Sequence, residues 1–189
     1  YKRQEHPKPD EVSPEQQNYI ENIFRELDEK SLNPNIIFSD SYQSLIDIPS
    51  FVDFIILNEL ASNADAYQFS TFFHKDRRGK LRAGPIWDFN LTYGNDLFWW
   101  GFDRSKYDVW QLSFGNIGSK FWQNLFNNPV FNCYLSKRWN ELSSSGQPLS
   151  ENEIFELINQ TASLITEAVN RQALQLSLIH ISEPTRPLS

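Results

Sequence analysis

Residues 51–60 read Phe-Val-Asp-Phe-Ile-Ile-Leu-Asn-Glu-Leu, and wound as a helix they carry apolar side chains on nearly every side. A surface helix shows one apolar stripe, whereas a helix apolar all round has to be surrounded by other elements. The chain must therefore supply walls around this segment. It has the material, with 15 Phe, 7 Tyr and 6 Trp among 189 residues. Rings in that number can fill a sizeable core. With 40% hydrophobic and 22% charged residues, the composition is that of a globular chain. The helix is expected to start near Ser50, with Asp53 in the capping-box position.

The neighbouring elements are punctuated by local signals. Residues 1–12 are charged, carry two prolines and read as a linker or incoming loop. Ser13, Pro14 and Gln16 together make an N-cap, a first-position proline and a capping box. Tyr19, Ile20, Ile23, Phe24 and Leu27 follow at helical spacing, and Asn33-Pro34 ends the region. A β-hairpin is expected from Tyr67–His74, through the polar turn Asp76-Arg77-Arg78-Gly79, to Leu81–Trp87. Residues 95–118 hold aromatics, glycines and charges without a clean period and read as irregular.

A short helix is expected over Ser119–Phe126, and a longer one opens at Pro129 behind the cap Asn128 and runs to about Leu142. Ser150 and Glu153 form a further capping box, before Ile154, Leu157, Ile158, Ala162, Ile165 and Val169 on one face. Residues 176–186, Leu-Ser-Leu-Ile-His-Ile-Ser-Glu-Pro-Thr-Arg, look like a translated sequencing adaptor, and the helical pattern is expected to break there. Residues 176–189 are therefore set apart as a non-native tail. His180 goes with them, leaving His6 and His74 as candidate imidazoles.

Charge and cysteine content exclude several classes. A net charge of −7 argues against a nucleic-acid partner, which needs a basic face to neutralise phosphates. No apolar run approaches the length of a membrane span. The single Cys133 excludes an internal disulfide and a multi-Cys zinc site, and reads as a small buried hydrophobe on its helix.

Two short segments carry chemistry. Asn63-Ala64-Asp65-Ala66-Tyr67 follows the apolar helix, and Ile86-Trp87-Asp88-Phe89-Asn90-Leu91 follows the hairpin. Both set acids and amides among large apolar residues, where a buried carboxylate needs a partner or a cation. Asn63, Asp65, Asp88 and Asn90 are hard oxygen donors, and without a Cys or His cluster the matching metal is Mg²⁺. Taken singly, Asp65 could cap a turn and Asp88 could pair with Arg82 or Lys80. Their order changes the balance: an acid after a helix, a hairpin, then a second acid before Phe-Asn and a glycine loop. That order mimics the organisation of protein kinases, in which one Asp positions the accepting hydroxyl and another holds Mg²⁺. Ser70, however, stands where the kinase loop carries a metal-binding Asn, and Asn90 where a Gly follows Asp-Phe, so ordinary kinase patterns fit poorly.

The stretch Ser50–Asn95, SFVDFIILNELASNADAYQFSTFFHKDRRGKLRAGPIWDFNLTYGN, resembles the spore-coat-protein-H (CotH) kinase family. It shares a buried helix ending in Asn-x-Asp-x-Tyr, then Ser-Thr-Phe, Lys-Asp, Gly-Lys-Leu, Gly-Pro-x-Trp-Asp-Phe-Asn and a Gly-Asn loop. Lys137-Arg138-Trp139 looks like the family's Arg-Trp helix, and the likeness covers roughly residues 10–172. The resemblance implies an α+β fold, mostly helical: an atypical protein-kinase-like C-terminal lobe with a small central β-hairpin. Residues 13–175 would form an incomplete domain of this type. Asp65 matches the catalytic Asp and Asp88 the metal-binding Asp. Asn90 stands where many members have a second Asp, as a neutral metal ligand that weakens the cation field by one charge. Asn63 and Ser70 flank Asp65 as supporting or metal contacts.

Cofactors implied by the resemblance are Mg²⁺ and ATP. The implied partner is a protein substrate with a Ser or Thr acceptor, in the setting of secreted or surface proteins. The family's nucleotide-gripping Lys and its acidic partner are expected upstream of Tyr1, so cofactor-binding residues are not assigned, and the fragment alone is expected to be inactive. The alternative is a catalytically degenerate kinase-like binding or structural domain, with Trp99, Trp100, Trp110 and Trp122 as candidates for a sugar- or peptide-binding surface unless they are core. A third reading takes Asp65 and Asp88 as the carboxylate pair of a glycosidase, and nothing else in the sequence supports it.

Overall fold

The computed structural model describes residues 8–32, 41–95, 106, 108–113 and 119–182, with only the backbone described for residue 9 and residues 176–182. Five α-helices lie in this part: α1 Pro14–Ser31, α2 Ile48–Leu60, α3 Phe121–Asn127, α4 Pro129–Ser143 and α5 Glu151–Ser182. Two strands, β1 Phe73–His74 and β2 Arg82–Ala83, pair antiparallel with Phe73 opposite Ala83. Short 3-10 turns at Tyr42–Ser44, Phe89–Leu91 and Gln111–Ser113 fill the connections. The fold is mostly helical α+β, as expected. The chain divides into two compact units, residues 1–138 and 139–189.

In the first unit α2 is the buried element. Phe51, Val52, Phe54, Ile55, Ile56 and Asn58 are all buried, as an all-round apolar helix demands. Its start differs from expectation. Asp47 is the cap, its carboxylate accepting from the Ser50 amide at 3.0 Å, with Pro49 in the first turn. Ser50 instead turns its hydroxyl to the Asp47 carbonyl and receives the Ala83 amide. Asp53 is taken by Arg138 of α4, with Nε–Oδ1 at 2.8 Å and Nη2–Oδ2 at 3.3 Å.

α1 begins as the sequence specifies: Ser13 Oγ accepts from the Gln16 amide and the Gln16 side chain accepts from the Ser13 amide. Of its apolar face Leu27 is fully buried, while Tyr19 is exposed with the Lys75 ammonium 5.5 Å from its ring centroid. α1 packs on α3, where Asp28 Oδ1 accepts from the Phe121 amide at 3.0 Å and Asn124 donates to Ser31 Oγ. The core between them is aromatic. Trp122 has ring centroids 5.0–5.9 Å from Phe51, Phe54, Tyr67, Phe73 and Phe121. Trp122 is thus a core residue rather than a binding-surface ring; Trp110 is half-exposed against Phe126, and Trp99 and Trp100 lie outside the described residues. The Asn33-Pro34 stop lies outside them as well.

The hairpin is much shorter than the expected Tyr67–Trp87. Only two residue pairs form a ladder, extended by one bond from the Gly84 amide to the Phe72 carbonyl at 2.9 Å, because residues 67–70 make tight turns and Pro85–Asp88 runs on without ladder partners. The return strand is secured instead by the 45–47 segment: Leu81 donates to the Leu45 carbonyl and Asp47 to the Leu81 carbonyl, both at 2.8 Å. Arg82 faces Asp47 at 4.0 Å, and Lys80 donates to the Gln43 carbonyl. Both basic partners considered for Asp88 are thus placed at other groups. His74 is exposed at the end of β1, its Nδ1 3.3 Å from the Gly84 carbonyl.

α4 starts at Pro129 behind Asn128, whose Oδ1 accepts from the Val130 and Phe131 amides. Its buried residues are Phe131 and Leu135, one turn apart. Cys133, two positions from each, faces the opposite side and is exposed, contrary to expectation. In the second unit the Ser150–Glu153 box does not form: Ser150 Oγ is buried with no hydrogen-bond partner, and its carbonyl accepts from the Ile154 amide. Leu157, Ile158, Ala162, Ile165 and Val169 of α5 are exposed. The α5 backbone continues past residue 175 to Ser182, without the expected break. No helix among the described residues is long and apolar enough to cross a membrane.

Candidate functional site

The last turns of α2 build the first acid-bearing loop. Asn58, fully buried, donates from Nδ2 to the Phe54 carbonyl and accepts at Oδ1 from Asn63 Nδ2 at 2.8 Å. The Asn63 amide returns to the Asn58 carbonyl, so Asn63 is clamped twice by one residue. With its orientation fixed, Asn63 Oδ1 accepts from the Asp65 amide at 3.2 Å. This is an Asx turn. The turn into Asp65 is thus made by the Asn63 side chain. Asp65 is half-buried, and its carbonyl accepts from the Phe69 amide.

Tyr67 closes the loop. It is buried and has φ +70°, a left-handed conformation that a bulky side chain rarely takes. Its amide donates to Thr71 Oγ1, and its hydroxyl donates to Glu59 Oε1 at 2.8 Å. Glu59 also accepts the Leu112 amide at Oε1 and the Gln111 amide at Oε2, at 2.9 and 2.8 Å.

The second loop lies against the first. Ala64 donates to the Leu91 carbonyl at 3.3 Å and Tyr93 to the Ala61 carbonyl at 2.8 Å. Ser70 Oγ donates to Asp88 Oδ2 at 3.2 Å. Asp88 itself sits at φ +60°, ψ +60° and heads the 3-10 turn Phe89–Leu91. Asn90 is exposed, and its carbonyl accepts from Asn95 Nδ2. Among the described residues the non-glycine positions with positive φ are Ser62, Tyr67, Asp88 and Tyr93, all on these two loops. Strain of this kind costs about 1–3 kcal/mol per residue and persists where surrounding structure over-determines it, as at ligand and active sites.

The expectation that both acids are buried among apolar residues fails for Asp88. It is exposed, as is Trp87 beside it, because the extended Pro85–Asp88 segment beyond the hairpin ladder lies at the surface. Two strained loops converge here in place of a buried acid pair. Glu59 escaped sequence reasoning: it reads as the polar end of an apolar helix, and its amide partners lie more than 50 positions downstream.

One consequence concerns alkaline pH. Burial first, then the charge of the Glu59 carboxylate and its hydrogen bond, hold the Tyr67 phenol well above its ordinary value of 10.0. Above about pH 10 the unfolded chain gives up a proton that folded Tyr67 keeps, so stability present below that pH falls as pH rises through it. Denaturation midpoints should drop between pH 9 and pH 11, and Tyr67→Phe should reduce the drop. Tyr42, raised chiefly by burial, should leave a residual slope. An unchanged drop in Tyr67→Phe would contradict this account.

A family model described as CotH kinase protein matches residues 1–183. The chain belongs to the CotH kinase family. The match extends beyond the 10–172 range of the sequence resemblance at both ends. No curated protein and no solved structure matches the chain. In this CotH kinase chain the two loops just described carry the family-like motifs, from Asn63 to Tyr67 and from Trp87 to Asn90.

The oxygen donors around Asp88, drawn from both loops, bear on Mg²⁺. Among the described residues no group of three or more His, Cys, Asp or Glu gathers at one point. Mg²⁺ does not require one: it keeps several waters and takes one or two carboxylates plus substrate phosphates. Asp88 offers a carboxylate open to solvent, with the Ser70 hydroxyl bonded to it and the exposed Asn90 two positions on. This donor set, all oxygen and accessible to water, fits the ion.

Proposed function

We propose that the chain contributes the acceptor-side and metal-side loops of an ATP-dependent kinase acting on Ser or Thr hydroxyls of secreted or surface proteins. The observation that carries this reading is the backbone pairing of the Asp65 loop with the Asp88–Asn90 loop through Ala64–Leu91 and Tyr93–Ala61. These bonds join the backbones of two segments whose acids, Asp65 and Asp88, are 23 positions apart in sequence.

In this reading Asp65 accepts a hydrogen bond from the acceptor hydroxyl and aims it in line with the phosphoryl group. The Asn63 turn and the buried Tyr67 fix the backbone on either side, so that the carboxylate is aimed before substrate arrives. Asp88, with Asn90 and the Ser70 hydroxyl, would hold Mg²⁺. The ion, when bound, neutralises charge on the β- and γ-phosphates. Ser70, by donating to Asp88 Oδ2, would orient the carboxylate. Asn90 supplies an amide oxygen with no charge, so Asp88 carries the anionic share of the second loop. The domain is read as residues 13–175, with 176–189 as a non-native tail.

Calorimetry of nucleotide binding tests this on the full-length protein carrying the chain. Asp88→Ala should weaken Mg·ATP binding by at least about tenfold, the order expected when a metal contact is lost. Binding of ATP in excess EDTA should be unchanged. If the wild type binds no nucleotide, the missing charge at Asn90 favours the second reading, a kinase-like binding domain without catalysis.

A further inference from the structure

We propose that Glu59 is a positioning residue that couples the shape of the Asp65 loop to the docking of the Gln111–Ser113 segment. The inference rests on the phosphoryl-transfer reading for its kinetic consequence, but its structural basis is independent of it.

Asp65 has two flanks, and consecutive residues of α2 hold them. Asn58 holds Asn63 by side chain and carbonyl, and Glu59 holds Tyr67 by its hydroxyl. The two clamps differ in reach. The Asn58 bonds join residues within a few positions of one another and form as soon as the helix and its turn are made. The Glu59 carboxylate also binds the Gln111 and Leu112 amides. Those two residues are buried, and the Leu112 carbonyl is gripped by Gln123 of α3. One carboxylate thus joins three donors from two distant segments.

The strain at Tyr67 gives this junction its effect. A tyrosine at φ +70° relaxes unless its ends are held. Its ring is held by Trp122 and Phe54, its amide by Thr71 and its hydroxyl by Glu59. Undocking of the 111–113 segment would leave the part-buried Glu59 carboxylate without two of its donors, a costly state. The side chain would then turn toward water and release Tyr67. The loop that aims Asp65 therefore keeps its shape while Gln111–Ser113 is seated. A segment that docks or undocks there would control the site without touching substrate.

The test uses the full-length protein carrying this chain, with Glu59→Gln and Tyr67→Phe. Glu59→Gln should lower kcat by about tenfold or more while KM for ATP stays within about twofold, the pattern of lost alignment rather than lost binding. In amide hydrogen exchange the Gln111 and Leu112 amides and those of Ala64, Ala66 and Phe69 should lose protection together, with α1 and α3 unchanged. Tyr67→Phe should lower kcat and loosen the loop while leaving the Gln111 and Leu112 amides protected. Wild-type kcat in Glu59→Gln would overturn the proposal. So would an opening of 111–112 that leaves the loop amides protected, or a uniform loss of protection across the domain. If the wild type transfers no phosphate, the kinase reading fails and the exchange results alone decide the coupling.

Discussion

Asp65→Ala in the full-length protein carrying this chain is expected to lower kcat for phosphoryl transfer by about 10³-fold, within the range a positioned acid–base group contributes. Mg·ATP binding should change little, because the proposed metal-side carboxylate is Asp88 on the other loop. The protein should also keep its fold. Two bonds that shape the loop at this position use backbone: the Asp65 amide donates to Asn63 Oδ1, and the Asp65 carbonyl accepts from Phe69. Both survive in Ala. The variant thus separates chemistry from structure, with kcat lost while the melting temperature and nucleotide affinity stay. Retention of wild-type kcat would remove Asp65 from the mechanism.

Trp122→Ala should have the largest effect on stability. The indole is 1% exposed and packs against five rings from α2, α3, β1 and the Asp65 loop, edge-on with Tyr67 and stacked or tilted with the others. Truncating a buried aromatic costs about 3–5 kcal/mol through lost transfer energy and the cavity left behind. That is a large share of the 5–15 kcal/mol that holds a typical domain folded, by the usual order of magnitude. Trp122→Phe, which keeps one ring in place, should recover part of the loss. Because Tyr67 packs on Trp122 at 5.2 Å, the larger truncation should also loosen the loop beside Asp65. Chemical denaturation would measure the effect, and a change below about 1 kcal/mol would mean that these rings do not form the core.

What could be read in the sequence was what local chemistry decides. Ser13, Pro14 and Gln16 set the start of α1 because a capping box closes within four residues. Asn128 and Pro129 set α4 in the same way. The burial of α2 followed from apolar residues that leave no face for water. Readings failed where two local signals competed or a distant group decided. Ser50 makes a plausible cap, but Asp47 and Pro49 offer a better one three residues earlier, and the Ser50 hydroxyl is taken by Ala83 across the fold. The aromatic- and Thr-rich run Tyr67–His74 before a polar turn suggests a long hairpin, yet the return strand also bonds to residues 45–47 and only two ladder pairs form with β1. At the site the motif acids stood out by residue type and order. The exposure of Asp88 and the reach of Glu59 did not, since one depends on an extended segment beyond the hairpin ladder and the other on amides far along the chain.

The central claim is that the joined Asp65 and Asp88 loops transfer phosphate. The most direct measurement is incorporation of label from γ-labelled ATP with Mg²⁺ by the full-length protein carrying this chain, beside Asp65→Ala and Asp88→Ala. The account predicts label on Ser or Thr in the wild type and its loss in both variants, with all three proteins folded. A folded wild type that incorporates no label, or variants that label as well as the wild type, would contradict it.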